Sequence, residues 1–238
     1  MSHITLVRPT PAILIIKLDR AEKRNALSAE LVEALHEAID SVQGTDTRVL
    51  VFEGSGKNFS AGFDFTDTET ASQAEISWRF IRIQQLLQKI AATSLLTVAL
   101  AHGRNFGAGV DLIAACSWRI CTPEASFRMP GLKFGLVLGT ARFSALVGAQ
   151  RAREILEDSK TFDAGQALSI GFATQVAEQG GWADLLGQAE AVALNLSPAA
   201  RGLLCLALGN HDHDRDMALL VASLSVPGLK QRIQAYLQ

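Results

Sequence analysis

Hydrophobic positions along this chain change their spacing several times, and each change predicts an element. Ile4 to Val7 and Ile13 to Leu18 are short runs of β-branched residues and leucine. The connection between them holds Pro9 and Pro11, so they read as two strands. After a polar loop over 19–25, Ser28 stands before Leu31, Leu35, Ile39 and Val42, which share one face at helical spacing. The pattern predicts an amphipathic helix capped by Ser28 and stopped by Gly44. Val49 to Phe52 is apolar throughout, as a short strand buried on both faces would be. Helical spacing returns at Ile76, Phe80, Ile83, Leu87 and Ile90, predicting a helix over about 74–91, and Leu95 to Ala101 reads as another buried strand.

From the second strand onward the order is strand, helix, strand, helix, strand, which predicts an α/β fold with parallel strands and right-handed crossovers. Such sheets place ligands at the carboxyl ends of their strands, where two glycine-containing loops fall, over 54–65 and 103–109. Beyond Gly135 the chain turns rich in alanine and leucine. Helical patterns cover Leu146 to Leu156, Ala164 to Ile170, Trp182 to Leu194, Met217 to Leu224 and Leu229 to Leu237, with one strand expected over Ala173 to Val176. A boundary near Ser197-Pro198 divides a core over 1–196 from a C-terminal helical region over 197–238, whose apolar faces could cover the sheet or a neighbouring subunit.

Composition narrows the function. With 48% hydrophobic and 19% charged residues over 238 positions, the chain has the means to bury a sizeable core. Its 22 basic and 24 acidic residues give a net charge of −2 with no basic block, which argues against a dedicated nucleic-acid binder. No apolar run approaches the roughly 20 residues that span a bilayer. The start, Met1-Ser2-His3, lacks a leader pattern, and Cys116, Cys121 and Cys205 form no disulfide or zinc spacing, so the expected address is cytoplasmic. Small molecules or copies of the same chain are the expected partners.

The two glycine loops carry the candidate chemistry. Gly62, within Phe59-Ser60-Ala61-Gly62-Phe63-Asp64-Phe65, opens backbone torsions that let the Phe63 amide point into a cavity, although a simple strand-to-loop turn fits equally well. Gly107-Ala108-Gly109 runs directly into a helical pattern over Val110 to Cys116. Amides at a helix start lack intrahelical partners and could bind an anion, whereas close helix packing is the competing explanation of the small residues. Together the two amides could form an oxyanion hole for a carbonyl oxygen such as that of a thioester.

Several motifs recur in one order: Asp19-Arg20, Lys23-Arg24-Asn25-Ala26-Leu27, Ser60-Ala61-Gly62-Phe63-Asp64, Gly103 with Gly107-Ala108-Gly109, and Ala125-Ser126-Phe127 before Pro130-Gly131. In that order and at those separations the chain resembles, over nearly its whole length, the enoyl-CoA hydratase/isomerase (crotonase) family. The resemblance implies a spiral of ββα turns with a helical C-terminal region that trimerises, as a homotrimer or a dimer of trimers. It also implies that the N–H groups of Phe63 and Ala108 hold the thioester oxygen. Arg24, Asn25 and Ala26, the backbone of Ala61, Gly62 and Asp64, and Gly107 and Gly131 would then receive the acyl-CoA, with Arg24 attracting phosphate. No metal and no cofactor beyond the coenzyme A of the substrate are implied.

Hydratases of the family carry one glutamate three residues beyond the second oxyanion amide and another directly after the proline of a Phe-x-x-Pro segment. Here those positions are Asp111 and Gly131, and the stretch after Gly131, 132–140, is about three residues shorter than in typical hydratases. Adding water to an enoyl thioester calls for a base and an acid, whereas moving a proton between α- and γ-carbons needs one carboxylate and the oxyanion hole. Isomerisation is therefore the favoured expectation, with Asp111 as catalytic carboxylate. A helix-dipole role for Asp111 competes with that reading. An assembly subunit that binds CoA esters without turnover, or an acyl-CoA hydrolase of the same fold, are the alternatives. His102 and Arg142 are candidates for contacting a polar acyl group, and Phe63, Phe65, Trp78 and Phe80 for lining an acyl pocket. His211-Asp212-His213-Asp214 reads as a polar loop before a helix in preference to a metal site.

Overall fold

The structure, a computed structural model of the chain, describes residues 3–208 and 212–238. It opens with an antiparallel pair, β1 (Ile4–Thr10) and β2 (Ile13–Leu18). β1 runs on past the expected Val7 through Pro9; it is an edge strand, where a missing ladder donor is tolerated. α1 (Ala29–Asp40) begins at Ser28, whose Oγ accepts the Leu31 N–H, as the pattern predicts. β3 (Val49–Gly54), α2 (Gln73–Ala92) and β4 (Leu96–Ala101) follow, α2 starting in a capping box between Ser72 and Glu75.

Next come β5 (Arg104–Phe106), α3 (Ala108–Ala114), β6 (Trp118–Cys121) and β7 (Ser126–Arg128). The single helix expected over Leu146 to Leu156 is two, α4 (Thr140–Val147) and α5 (Ala149–Asp158). They are broken at Gly148, whose φ of 83° lies outside the helical region. β8 (Thr161–Asp163), α6 (Ala164–Ser169), β9 (Gln175–Val176), α7 (Trp182–Leu194), α8 (Pro198–Leu208), α9 (His213–Ser225) and α10 (Leu229–Leu237) complete the described chain. Pro198 opens α8 at the first helical position, where its missing donor costs no hydrogen bond.

One sheet has the order β1-β2-β3-β4-β6-β9, parallel from β2 onward, and a smaller one has β5-β7-β8. Successive ββα turns, β1-β2-α1, β4-β5-α3 and β6-β7-α4, wind the chain into a spiral in which β4 and β6 join the large sheet and β5 and β7 the small one. The centre of the large sheet, β3 and β4, is buried on both sides. Val49, Val51, Val98 and Leu100 pack with Trp182, Leu185 and Ala189 of α7, while Leu50, Phe52 and Ala99 join the main core with α1 and α2. That double burial is why β3 and β4 are apolar without alternation. Because β3 and β4 are parallel neighbours, the loops that follow them leave from the same edge of the sheet. Among the described residues, no single helix is long and apolar enough to cross a membrane.

Candidate active site

The two glycine loops, separated in sequence by the whole of α2, are docked on one another. Phe59 N–H donates to His102 O at 3.0 Å, Phe106 N–H to Ser60 O at 3.2 Å, and Ser60 N–H to the Asn105 side chain at 3.3 Å. The contact is too close for any side chain on the glycines. A Cβ on Gly62 would lie 2.4 Å from Phe106 O, and one on Gly109 would lie 2.7 Å from Ser60 O. Gly62 also sits at φ +83°, a region open to glycine at little cost. Both close packing and an opened backbone therefore operate at these loops, two readings that local sequence leaves as alternatives.

The orientation of the two key amides follows from their neighbours. Leu27 forms an isolated parallel bridge with Phe63, in which Leu27 N–H donates to Gly62 O and Asp64 N–H to Leu27 O. In such a bridge the N–H of Phe63 itself points away from Leu27. Ala108 is the first residue of α3, so its N–H lacks an intrahelical acceptor. Ala108 N is 3.3 Å from the Cβ position of Gly62, the residue before Phe63, so the two loops bring these segments into contact. Among the described residues neither amide has a backbone acceptor, and donors of this kind, where they meet, can hold a developing oxyanion.

They border a cavity of ≈ 250 Å³ whose wall includes Ala61, Phe63, Gly107, Ala108, Asp111 and Gly131. Phe63 stacks on Phe80 at 4.1 Å between centroids and meets Phe65 edge-on at 5.0 Å, so three of the four expected aromatic residues line it. Trp78 does not: it is 57% exposed on the outer face of α2. Asp111, one turn into α3 from Ala108, is the one carboxylate in the wall. Its Oδ1 is sealed from solvent with no hydrogen-bond partner among the described residues. Burial pushes its pKa up to about 8, against the smaller opposing pull of the Arg142 guanidinium. Desolvation thus outweighs the charge of Arg142, and the neutral acid is favoured.

The other expected residues divide by surroundings. Arg24 is exposed, with φ +53°, and its carbonyl accepts the Ala61 N–H, while Ala26 O accepts from Arg20. Asn25 is fully buried. Its amide donates to Ser55 O and Asn58 O and accepts from Arg20 N–H, so its side chain is used in holding this loop. Asp64 pairs with Arg20 at 2.9 Å and accepts from the Thr66 backbone and hydroxyl. Burial alone would raise its pKa, but these donors together hold it below the ordinary value. Gly131 opens a 3-10 turn, Gly131–Phe134, in the cavity wall.

His102 and Arg142 are buried and absent from that wall. His102 is held against Gly56 O and beside the Trp182 ring. Asp212 caps α9 by accepting the Arg215 N–H; His211 lies outside the described residues. Among the described residues no group of three or more His, Cys, Asp or Glu side chains is arranged to hold a metal.

Three features escape the sequence pattern. Ser60, wholly buried, bonds Asn25 O and receives the Gly62 N–H, tying the Arg24–Ala26 loop to the Gly62 loop. Thr140 enters the wall from the start of α4. Tyr236 and Leu237 arrive from α10, which is fastened by Arg232 to Phe134 O and by Lys230 to Glu69 O and Ala71 O. The periodicity of α10 shows an apolar face without showing what it covers.

Residues 9–208 match the family model described as "Enoyl-CoA hydratase/isomerase". A crystal structure from Bordetella parapertussis, solved as a candidate enoyl-CoA hydratase/isomerase, superposes with a TM-score of 0.97. It is 52% identical, over 100% of this chain and 99% of that one. The Mycobacterium leprae protein named "Probable enoyl-CoA hydratase echA6" is 34% identical over 171 residues, 69% of this chain and 67% of its own length. Rat ethylmalonyl-CoA decarboxylase is 28% identical over 192 residues, 79% of this chain and 64% of its own.

Proposed function

The chain belongs to the enoyl-CoA hydratase/isomerase family, enzymes acting on CoA thioesters, and from that premise we propose that it isomerises an unsaturated acyl-CoA through an enolate. The Phe63 and Ala108 N–H groups hold the thioester oxygen. Asp111, as carboxylate, removes a proton from the α-carbon. The C–H electron pair moves into a new double bond, negative charge collects on the thioester oxygen, and Asp111 returns the proton at the γ-carbon as the double bond shifts. The cycle is redox-neutral and calls for no cofactor beyond the coenzyme A of the substrate. Exposed Arg24 attracts CoA phosphate, while the backbone of Ala61, Gly62, Asp64 and the Arg24–Ala26 loop borders the pantetheine.

The observation that carries this reading is that Asp111 is the one carboxylate among the described residues of a mostly apolar cavity wall that also includes Phe63 and Ala108. Gly131 stands where a second carboxylate would support hydration. We also propose assembly into trimers or a dimer of trimers, supported by Leu203, Leu206 and Leu208, each more than two-thirds exposed along α8. Sedimentation as a monomer would overturn that part.

Incubation with matched 2-enoyl- and 3-enoyl-CoA esters tests the reaction. Interconversion of the two, lost in Asp111→Asn, is expected. Tight binding without turnover would favour the assembly subunit, free CoA release a hydrolase, and 3-hydroxyacyl-CoA as main product a hydratase; each would displace isomerisation.

A further inference from the structure

Arg142 is the group the mechanism leaves unused. It is 2% exposed, and all three guanidinium nitrogens are sealed without a hydrogen-bond partner among the described residues. A buried, always-charged group in that state is costly and calls for a reason. Its position supplies one. Gly139, the N-cap of α4, stands so near Asp111 that a Cβ there would lie 2.0 Å from Oδ1 and 2.5 Å from Cγ. Arg142 is the third residue of the same helix. The Asp111 carboxyl therefore packs on the start of α4, the helix that carries Arg142, and the Arg142 guanidinium, which does not line the cavity, acts on it through its charge.

Resting on the reading of Asp111 as the proton-transferring group, we propose that Arg142 is a positioning residue: from outside the cavity wall it supplies the positive charge that lets Asp111 ionise in an apolar site. The titratable groups acting on Arg142 are Asp111 on α3, Cys116 beyond the end of that helix, and Asp216 on α9. Burial pushes the Cys116 thiol up to about 12, leaving it neutral. The charged residues of α5 are paired elsewhere, Arg151 with Glu154, Arg153 with Glu157 and Asp158 with Lys160. Asp111 and Asp216 are thus the two carboxylates whose charge acts on this buried cation, neither hydrogen-bonded to it.

The test is the pH profile of kcat/KM on the interconverted enoyl-CoA pair, together with the ¹³C-carboxyl titration of Asp111 in unliganded protein. Arg142→Gln is expected to move the acid limb and the NMR midpoint to higher pH by about one unit. That lowers kcat/KM about tenfold below the limb and far less on the alkaline plateau. Arg142→Lys is expected to keep the limb near its original position. Asp216→Asn, at a half-buried position on α9, is expected to move the limb to lower pH, which keeps the idea testable if Arg142→Gln fails to fold. A uniform loss at all pH values, or an unmoved Asp111 midpoint in both Arg142→Gln and Asp216→Asn, would overturn the inference. Full turnover in Asp111→Asn would instead sink the underlying reading of Asp111, so the two failures are distinguishable.

Discussion

Replacing Asp111 by asparagine is expected to abolish turnover while making the protein more stable. In the unfolded chain this carboxyl titrates at its ordinary 3.8, and in the folded state at about 8. A folded value above the unfolded one means that folding requires taking up a proton between those limits. The favourable state is fully present below the unfolded value, and stability falls as pH rises until about 8. At pH 7 the chain has crossed just over three units of that interval, which at ~1.4 kcal/mol per unit is a loss of about 4 kcal/mol. Asparagine has nearly the same shape and no proton to take up, and Oδ1 has no hydrogen bond to forfeit.

Urea unfolding should therefore show Asp111→Asn more stable by up to about 4 kcal/mol at pH 7 and by less than half of that at pH 5. In a chain of this size the gain at pH 7 raises Tm by on the order of 10 °C. A variant no more stable than the parent at pH 7, or one whose gain is the same at both pH values, would show that the carboxyl is not held neutral by burial. The whole account of its proton affinity would then fail.

Other perturbations probe the parts around it. Gly109→Ala puts a Cβ 2.7 Å from the backbone oxygen of Ser60, which has no freedom to rotate away. The two loops should separate and kcat/KM fall by about 10²–10³, the cost of one oxyanion donor, while calorimetric CoA affinity changes less. Gly131→Glu puts a Cβ 3.3 Å from Leu136 O, a tight contact that a shift of a few tenths of an ångström in the 131–136 turn would relieve, so the variant should fold. It should bring measurable water addition to 2-enoyl-CoA, followed by loss of the enoyl thioester absorbance; no gain would mean that a second carboxylate is not what hydration lacks. Asp64→Asn breaks the pair with Arg20 and should cost about 1–3 kcal/mol at pH 7 in urea unfolding. Since the folded-state value of Asp64 is depressed, its contribution is present above the ordinary 3.8 and is lost as pH falls below that value through the lower folded one, so the cost should shrink with acidification below 3.8.

Much of the scaffold was legible before any coordinates. Ser28 as a cap, the double-sided apolar runs of β3 and β4, and the spacing of Ile76 to Ile90 each report a local environment that repeats with the period of the element. The short strands β5, β7 and β8 were not, because three residues carry no measurable period and exist only through pairing with one another. The break at Gly148 was missed for a related reason: a helical apolar pattern continues on both sides of a residue whose φ is +83°. His102 and Arg142 have the chemistry of acyl-contacting groups and sit close in sequence to wall residues, yet both are absent from the wall.

For the site, the two glycine loops and an acidic residue one turn into a helix could be found by inspection, since glycine and helix-start chemistry are local properties. Whether Gly62 and Gly109 serve an open backbone or close packing depends on Phe106 and Ser60, which reach them only because β3 and β4 are neighbours. Tyr236 enters the wall from the far end of the chain through the fastening of α10. Asp111 reads as an ordinary acid from its neighbours in the chain. Its proton affinity is a property of the water removed around it by groups scattered from α2 to α10, and hydration is lost by packing of the whole molecule, which no local pattern records.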